Sequence, residues 1–172
     1  MAGRRDSHRY TPRAMSTIHS QAFRGGLFAL LDETFEGPSA GKPSAYLDQG
    51  GGLFQILAKL DAASASTPPA AGARSVASHC EHMRFYLVVV RSFIDGTFRP
   101  VDWDESWKVQ TVDAPTWQQL RAELRIAYTS VRRLIEANTT WNEQEIGGAI
   151  GLVAHTAYHV GAIRQILRVI AP

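Results

Sequence analysis

Cysteine is all but absent from this chain, with Cys80 the one thiol among 172 residues. A lone thiol cannot close an intrachain disulfide, which suits a reducing compartment, and it leaves no cysteine cluster to hold a metal. Any metal must be bound through nitrogen or oxygen. An excess of either charge is lacking too. Eighteen Lys and Arg stand against 16 Asp and Glu, a formal charge of +2. The basic residues are dispersed, with no focused groove carrying stacking aromatics, so no nucleic-acid partner is expected. Long apolar runs are also missing: "FYLVVV" is cut by Arg91 and other stretches are interrupted by polar residues, so no membrane span is expected. The opening "MAGRRDSHRYTPRAM" has no apolar run, which argues against a signal peptide or anchor and for a disordered basic leader over 1–14. Together these absences lead to the expectation of a soluble, cytoplasmic protein.

What is present is enough apolar material, 45% of residues against 20% charged, for one compact domain over 15–172. The periodicity is helical throughout, so the expected class is all-α. Residues 16–35 carry Ile18, Phe23, Leu27, Leu30 and Leu31 at helical intervals, weakened by Gly25 and Gly26. A Gly/Pro/Ser-rich connection follows, then a shorter helix marked by Leu53, Leu57 and Leu60 and ending near Ala63. These first pieces read as one bundle helix interrupted by an insertion, or as a supplementary helix. The span 76–95 contains β-branched residues that could form a strand, but its length and period favour a helix. Ser75 is a good N-cap and Gly96 a good terminator, and Val76, His79, Met83, Tyr86, Val90 and Ile94 share one stripe. His79 lies near the centre of that stripe. His82 stands about 60° from it, on the stripe's edge, and Cys80 about 100° away. The polar connection 95–115 contains Trp103 and Trp107, which either plug one end of the core or wall a pocket. Thr116 and Gln119 form a capping-box pattern opening a helix to about Ala137, and a last helix spans roughly 146–170.

That last helix contains "HTAYHVGAIRQIL". With His155 at 0° and about 100° per residue, His159, Leu152, Ala162 and Ile166 fall within about 60° of it, placing both imidazoles on the buried stripe. Arg164 and Arg168 fall near the opposite side. A buried imidazole without a partner costs about 1 to 3 kcal/mol, so two of them call for a common partner. Imidazoles at i and i+4 lie one turn apart and can aim at a single divalent ion, with His79 as a third ligand from another helix. A lone core histidine is otherwise an ordinary hydrogen-bonded side chain, and it is the pairing and the second helix that favour a metal. Thr156 stands where the H-E-x-x-H metalloprotease motif needs Glu, and the Glu-x-x-His pairs of di-iron carboxylate bundles are missing.

"SVASHCEHMRFYL" and "AHTAYHVGAIRQILR" resemble the DinB-like (YfiT-type) superfamily of metal-binding four-helix bundles. "ETFEGPSAGKPSAYLDQGGGLFQIL" and the tryptophan loop look like one branch of that group, so the resemblance covers most of residues 16–170. It implies a four-helix bundle around one metal, often zinc, nickel or iron, with zinc favoured here. The family's histidine from the second bundle helix falls on His79, and its C-terminal pair on His155 and His159. Family members with assigned roles include thiol-dependent S-transferases and a maleylpyruvate isomerase. The long insertion around 37–52 departs from the family pattern, and no segment identifies a thiol cofactor.

Three neutral imidazoles would leave the ion's charge uncompensated, so a water ligand would be acidified and a thiol ligand ionised. The expectation is therefore a metal-dependent thiol S-transferase or hydrolase acting on a small molecule, with a low-molecular-weight thiol as a candidate co-substrate. The alternative is a non-catalytic, metal-stabilised bundle serving as a stress-response or dimerisation module. Because His79 lies in the first turn of its helix, the metal should sit toward one end, beneath loops 36–50 and 97–114. His82, Tyr158 and Trp103 are candidates to line or orient the site. Apolar residues left over on helix faces, such as Val88 and Val89, make a homodimer an expectation.

Overall fold

The computed structural model describes residues 19–41 and 43–170; the expected leader over 1–14 lies outside them. Among the described residues the protein is all-helical, without strands. The helices are α1 (Ser20–Glu36), α2 (Leu53–Leu57), α3 (Ala62–Ser66), α4 (Val76–Ile94), α5 (Ala114–Ala137) and α6 (Glu143–Ile170), with a 3₁₀ turn over Trp103–Trp107. α1, α4, α5 and α6 are the long elements, and their packing pairs α4 with α5 and α6, and α1 with α6.

Local chemistry sets the ends of these helices. The Ser75 hydroxyl accepts from the Ser78 N–H (3.2 Å), capping α4 as its sequence suggests, and Gly96 follows the helix at φ 73°. α5 begins earlier than the Thr116 pattern implies. Asp113 is the cap, its carboxylate accepting from the Thr116 N–H at 2.9 Å, and Pro115 fits the first turn, where its missing N–H costs nothing. α6 also starts a turn early, because Asn142 and Glu145 form a reciprocal box: Asn142 Oδ1 accepts from Glu145 N–H (2.9 Å) and Glu145 from Asn142 N–H (2.8 Å). The segment expected as one short helix to Ala63 is instead two, α2 and α3, divided by a turn at Ala58–Leu60 with Asp61 capping the second.

The core is continuous from α1 to α6. Phe35 is fully buried and stacks on Tyr128 (4.0 Å between centroids, 17° between planes), with Phe54 beside both. Leu31, Leu53, Leu57, Met83, Leu87, Leu124, Val131 and Ile163 fill the remainder. Each such side chain contributes about 1.5 to 3 kcal/mol of transfer free energy. Val89, expected on an outer face, is buried, while Val88 is 48% exposed. α6 is long and apolar enough to cross a membrane by length and composition, with a third of its most apolar window buried inside the protein. The expectation that no segment approaches a span is corrected to that extent. Its polar residues are spaced too widely along the helix to lower the average below that of a span.

Two tethers shape what lies over the start of α4. The Ser75 hydroxyl donates to the Gln110 carbonyl and the Ser78 hydroxyl to the Val109 carbonyl, both at 2.6 Å. Arg74 Nη1 donates to the Trp107 carbonyl (3.2 Å). The loop after α4 is thereby folded back onto the first turn of its own helix, bringing the 3₁₀ turn and its tryptophans with it.

Candidate metal centre

The tether brings Trp107 down on α4. His82 is in the second turn of α4, and its ring stacks on Trp107 at 3.9 Å with 14° between planes; the His79 ring meets the same indole edge-on at 5.6 Å. From α6, one turn apart, come His155 and His159, whose ring centroids lie 4.6 Å from each other and 5.2 and 4.8 Å from that of His82. His155 also stacks on Tyr86 (3.8 Å, 20°). One ligand atom each from His82, His155 and His159 lie within 4.8 Å of one another, a group compatible with a metal ion. Nitrogens around a tetrahedral zinc sit about 3.3 Å apart, so modest ring movements close the set.

His79 joins this group through α6. Its Nδ1 is 2.9 Å from Nδ1 of His159, so either one ring donates to the other or both nitrogens face a common cation. The structure thus sets His79, expected as the third ligand, beside His159, but the group of three that could hold an ion joins His155 and His159 with His82 instead. Sequence arithmetic puts His82 at the margin of the buried stripe, yet it is buried, because the folded-back tryptophan loop extends the interior beyond the helix's own face. Two tryptophans in an otherwise polar connection were the sequence signal for that cover. A second correction concerns His155. The buried residues of α6, from Ala149 to Ile166, centre about 80° from it by helical arithmetic. His159 lies well inside the stripe and His155 lies on its edge, facing Tyr86. A third correction is the roof. Among the described residues, the hydrogen bonds and ring contacts of the four imidazoles come from α4, α6 and the tryptophan loop, with none from the expected loop 36–50. That segment is drawn elsewhere by the Glu33 carboxylate, which accepts from the N–H groups of Ala45, Tyr46 and Leu47, each at 2.7 Å.

The protonation of the cluster can be read from its partners. The Ser106 hydroxyl donates to the Trp103 carbonyl at 2.6 Å, so toward His82 Nδ1, 2.7 Å away, it acts as acceptor. His82 then carries its proton on Nδ1, leaving the Nε2 lone pair open to an ion; such orienting hydrogen bonds are usual at ligand histidines. Nε2 of His155 is buried and has no hydrogen-bond partner among the described residues. Burial holds the His79 and His82 rings neutral, lowering their pKa to about 4, with Arg74 and, for His82, the neighbouring His155 and His79 acting in the same direction. His159 is lowered to about 3, by burial first and then by His155, His79 and His82, and burial also lowers His155. Neutral imidazole is the form that binds metals.

Of the other candidates, Tyr158 is 70% exposed and touches His159 only edge-on at 5.0 Å. Trp103 is 44% exposed and lies 6.4 Å from His82 between ring centroids. Trp103 and Tyr86 also line a cavity of about 710 Å³ that extends away from the histidines between α4, α5 and α6. Cys80 is fully buried, and its thiol pKa is pushed up by burial and by Glu81, so it is no nucleophile. Against protein-family models, curated proteins and solved structures, the chain shows no significant match.

Proposed function

We propose that this chain is a metal-binding helical bundle of the DinB (YfiT) type and a metal-dependent enzyme, a thiol S-transferase or hydrolase acting on a small molecule. The observation that carries the reading is the meeting of imidazoles from α4 and α6 under Trp107, with Nε2 of His155 buried and unmatched. Buried nitrogens without a partner also occur at Arg24, Arg121 and Trp141, but that of His155 stands among other imidazoles, where a metal would use it. His155 and His159 would hold the ion together with His82 or His79. A divalent ion there, with zinc favoured over nickel and iron, would lower the pKa of a water or thiol ligand and supply a nucleophile at neutral pH.

The chain's own residues do the rest. Ser106 fixes the tautomer of His82, Trp107 shields the cluster from solvent, and Tyr86 holds the plane of His155. The expected result is one divalent ion per chain in metal-replete protein, measured by elemental analysis, and its loss in His155→Ala and His159→Ala. Replete wild-type protein without bound metal overturns the reading. A panel of thiols offered with an electrophile then tests for transfer.

A second reading is favoured by the number of imidazoles. Four of them, His79, His82, His155 and His159, are enough to close a tetrahedral site, as in a structural centre that ties α4 to α6. X-ray absorption on the zinc-loaded protein separates the two: three nitrogen ligands and a solvent ligand support catalysis, and four imidazoles support a structural role.

A further inference from the structure

The cavity beside the histidines has a composition of its own. Along α4 it is walled by Tyr86, Val89, Val90, Phe93 and Ile94, positions that recur on one helix face. From Tyr86 to Ile94 that wall runs about 12 Å. Its volume, about 710 Å³, falls in the range of small-molecule pockets. Phe93, Ile94 and Trp103 are 57, 44 and 44% exposed, so apolar surface faces solvent at its margin.

Among the described residues, no Lys, Arg or His lines the cavity and Glu145 is the only acidic residue that does. The Glu145 carboxylate accepts from the Asn142 N–H and Asn138 Oδ1 from the Thr140 N–H, while the buried Trp141 Nε1–H has no partner among the described residues and leaves one neutral donor at this rim. An anionic ligand would find no countercharge there. Tyr86 and Trp103 belong at once to the cavity wall and to the surroundings of the imidazoles, Tyr86 by stacking on His155.

We infer that this cavity is the substrate pocket of the histidine centre and takes an uncharged, elongated, apolar molecule, its reacting group at the Tyr86–Trp103 end. This rests on the enzymatic reading of the centre and adds the class of substrate.

The test uses two dyes that share one aromatic body, neutral N-phenyl-1-naphthylamine and its sulfonated analogue 1-anilinonaphthalene-8-sulfonate. Both are titrated against the full chain, with energy transfer from tryptophan as readout. Gly148 lines the cavity, and a Cβ built on it meets nothing within 4 Å; Gly147 is equally open but does not line it. Both are interior helix positions where a side chain favours folding. The expected result is stoichiometric binding of the neutral dye, at least tenfold tighter than the sulfonate. Gly148→Leu should weaken it at least tenfold, and Gly147→Leu should leave it unchanged. Equal affinity for the two dyes, or indifference to Gly148→Leu, overturns the inference. Metal content is measured on the same samples: dye binding without metal leaves the pocket standing and sinks the centre, and metal without selective dye binding does the reverse.

Discussion

Two polar clusters join helices of this protein, one partly exposed and one buried, and they are satisfied in opposite ways. At the C-terminal end of α1, charges are matched in full. The Asp32 carboxylate receives both Nε and Nη2 of Arg132 and the Tyr128 hydroxyl, and Glu33 receives three successive backbone N–H groups. Burial alone would push both carboxyls up, but these donors outweigh it and hold each below its ordinary pKa. Under Trp107, four imidazoles share two hydrogen bonds that involve their rings, one between two of the rings themselves, and Nε2 of His155 has none. The first cluster spends its polar atoms on the fold, whereas the second leaves a buried ring nitrogen without a partner in a group that could hold a metal ion.

The largest effect expected from breaking this contrast is at the matched end. Glu33→Ala leaves three N–H groups of residues 45–47 without their acceptor and should destabilise the fold by about 3 kcal/mol, read by chemical denaturation. At the histidine end, Ser106→Ala removes the acceptor that sets the His82 tautomer. It should weaken zinc binding about 10- to 100-fold in a competition titration, with little change in the stability of the metal-free chain.

The two ends should also separate on acidification. Between the ordinary histidine pKa of 6.5 and about 4, the unfolded chain takes up protons that the folded His79 and His82 refuse. Stability of the metal-free protein is therefore complete above pH 6.5 and falls as the pH drops through that window. The lowered Asp32 and Glu33 carboxyls begin to withdraw their contribution only below the ordinary values of 3.8 and 4.5. Denaturation followed against pH should show the upper stage reduced in His79→Gln, and an unchanged upper stage would assign it to other groups. The smallest effect sharpens the comparison most. His155→Leu removes a ring with an unmatched nitrogen, so the metal-free melting temperature should hold or rise while metal binding is lost; a marked fall would mean that His155 serves the fold.

The helical class was legible because amphipathic periods are local, and the ends of α4 because Ser75 and Gly96 carry their own signals. The i, i+4 spacing of His155 and His159 brought both to notice for the same reason. The early start of α6 was hidden by Gly147 and Gly148, which dilute the period just after the Asn142–Glu145 box. His82 was misplaced because its burial comes from the Ser75 and Ser78 tethers to Gln110 and Val109, contacts across about thirty residues that no helical wheel contains. Loop 36–50 was assigned to the wrong neighbour because the pull of Glu33 on residues 45–47 is likewise a tertiary contact.

The chain leaves α1 and begins α2 at what is nearly a single point: a Cβ on Gly52 would fall 2.2 Å from the Gly37 nitrogen. The segment between the two helices starts and ends at this clasp of two glycines, and its middle is pinned to the scaffold by Glu33 and the buried Leu47. The exposed residues on either side of that anchor can be exchanged or elaborated from one descendant to the next without changing the register of either helix. Variation between relatives should therefore concentrate there, leaving the histidines undisturbed.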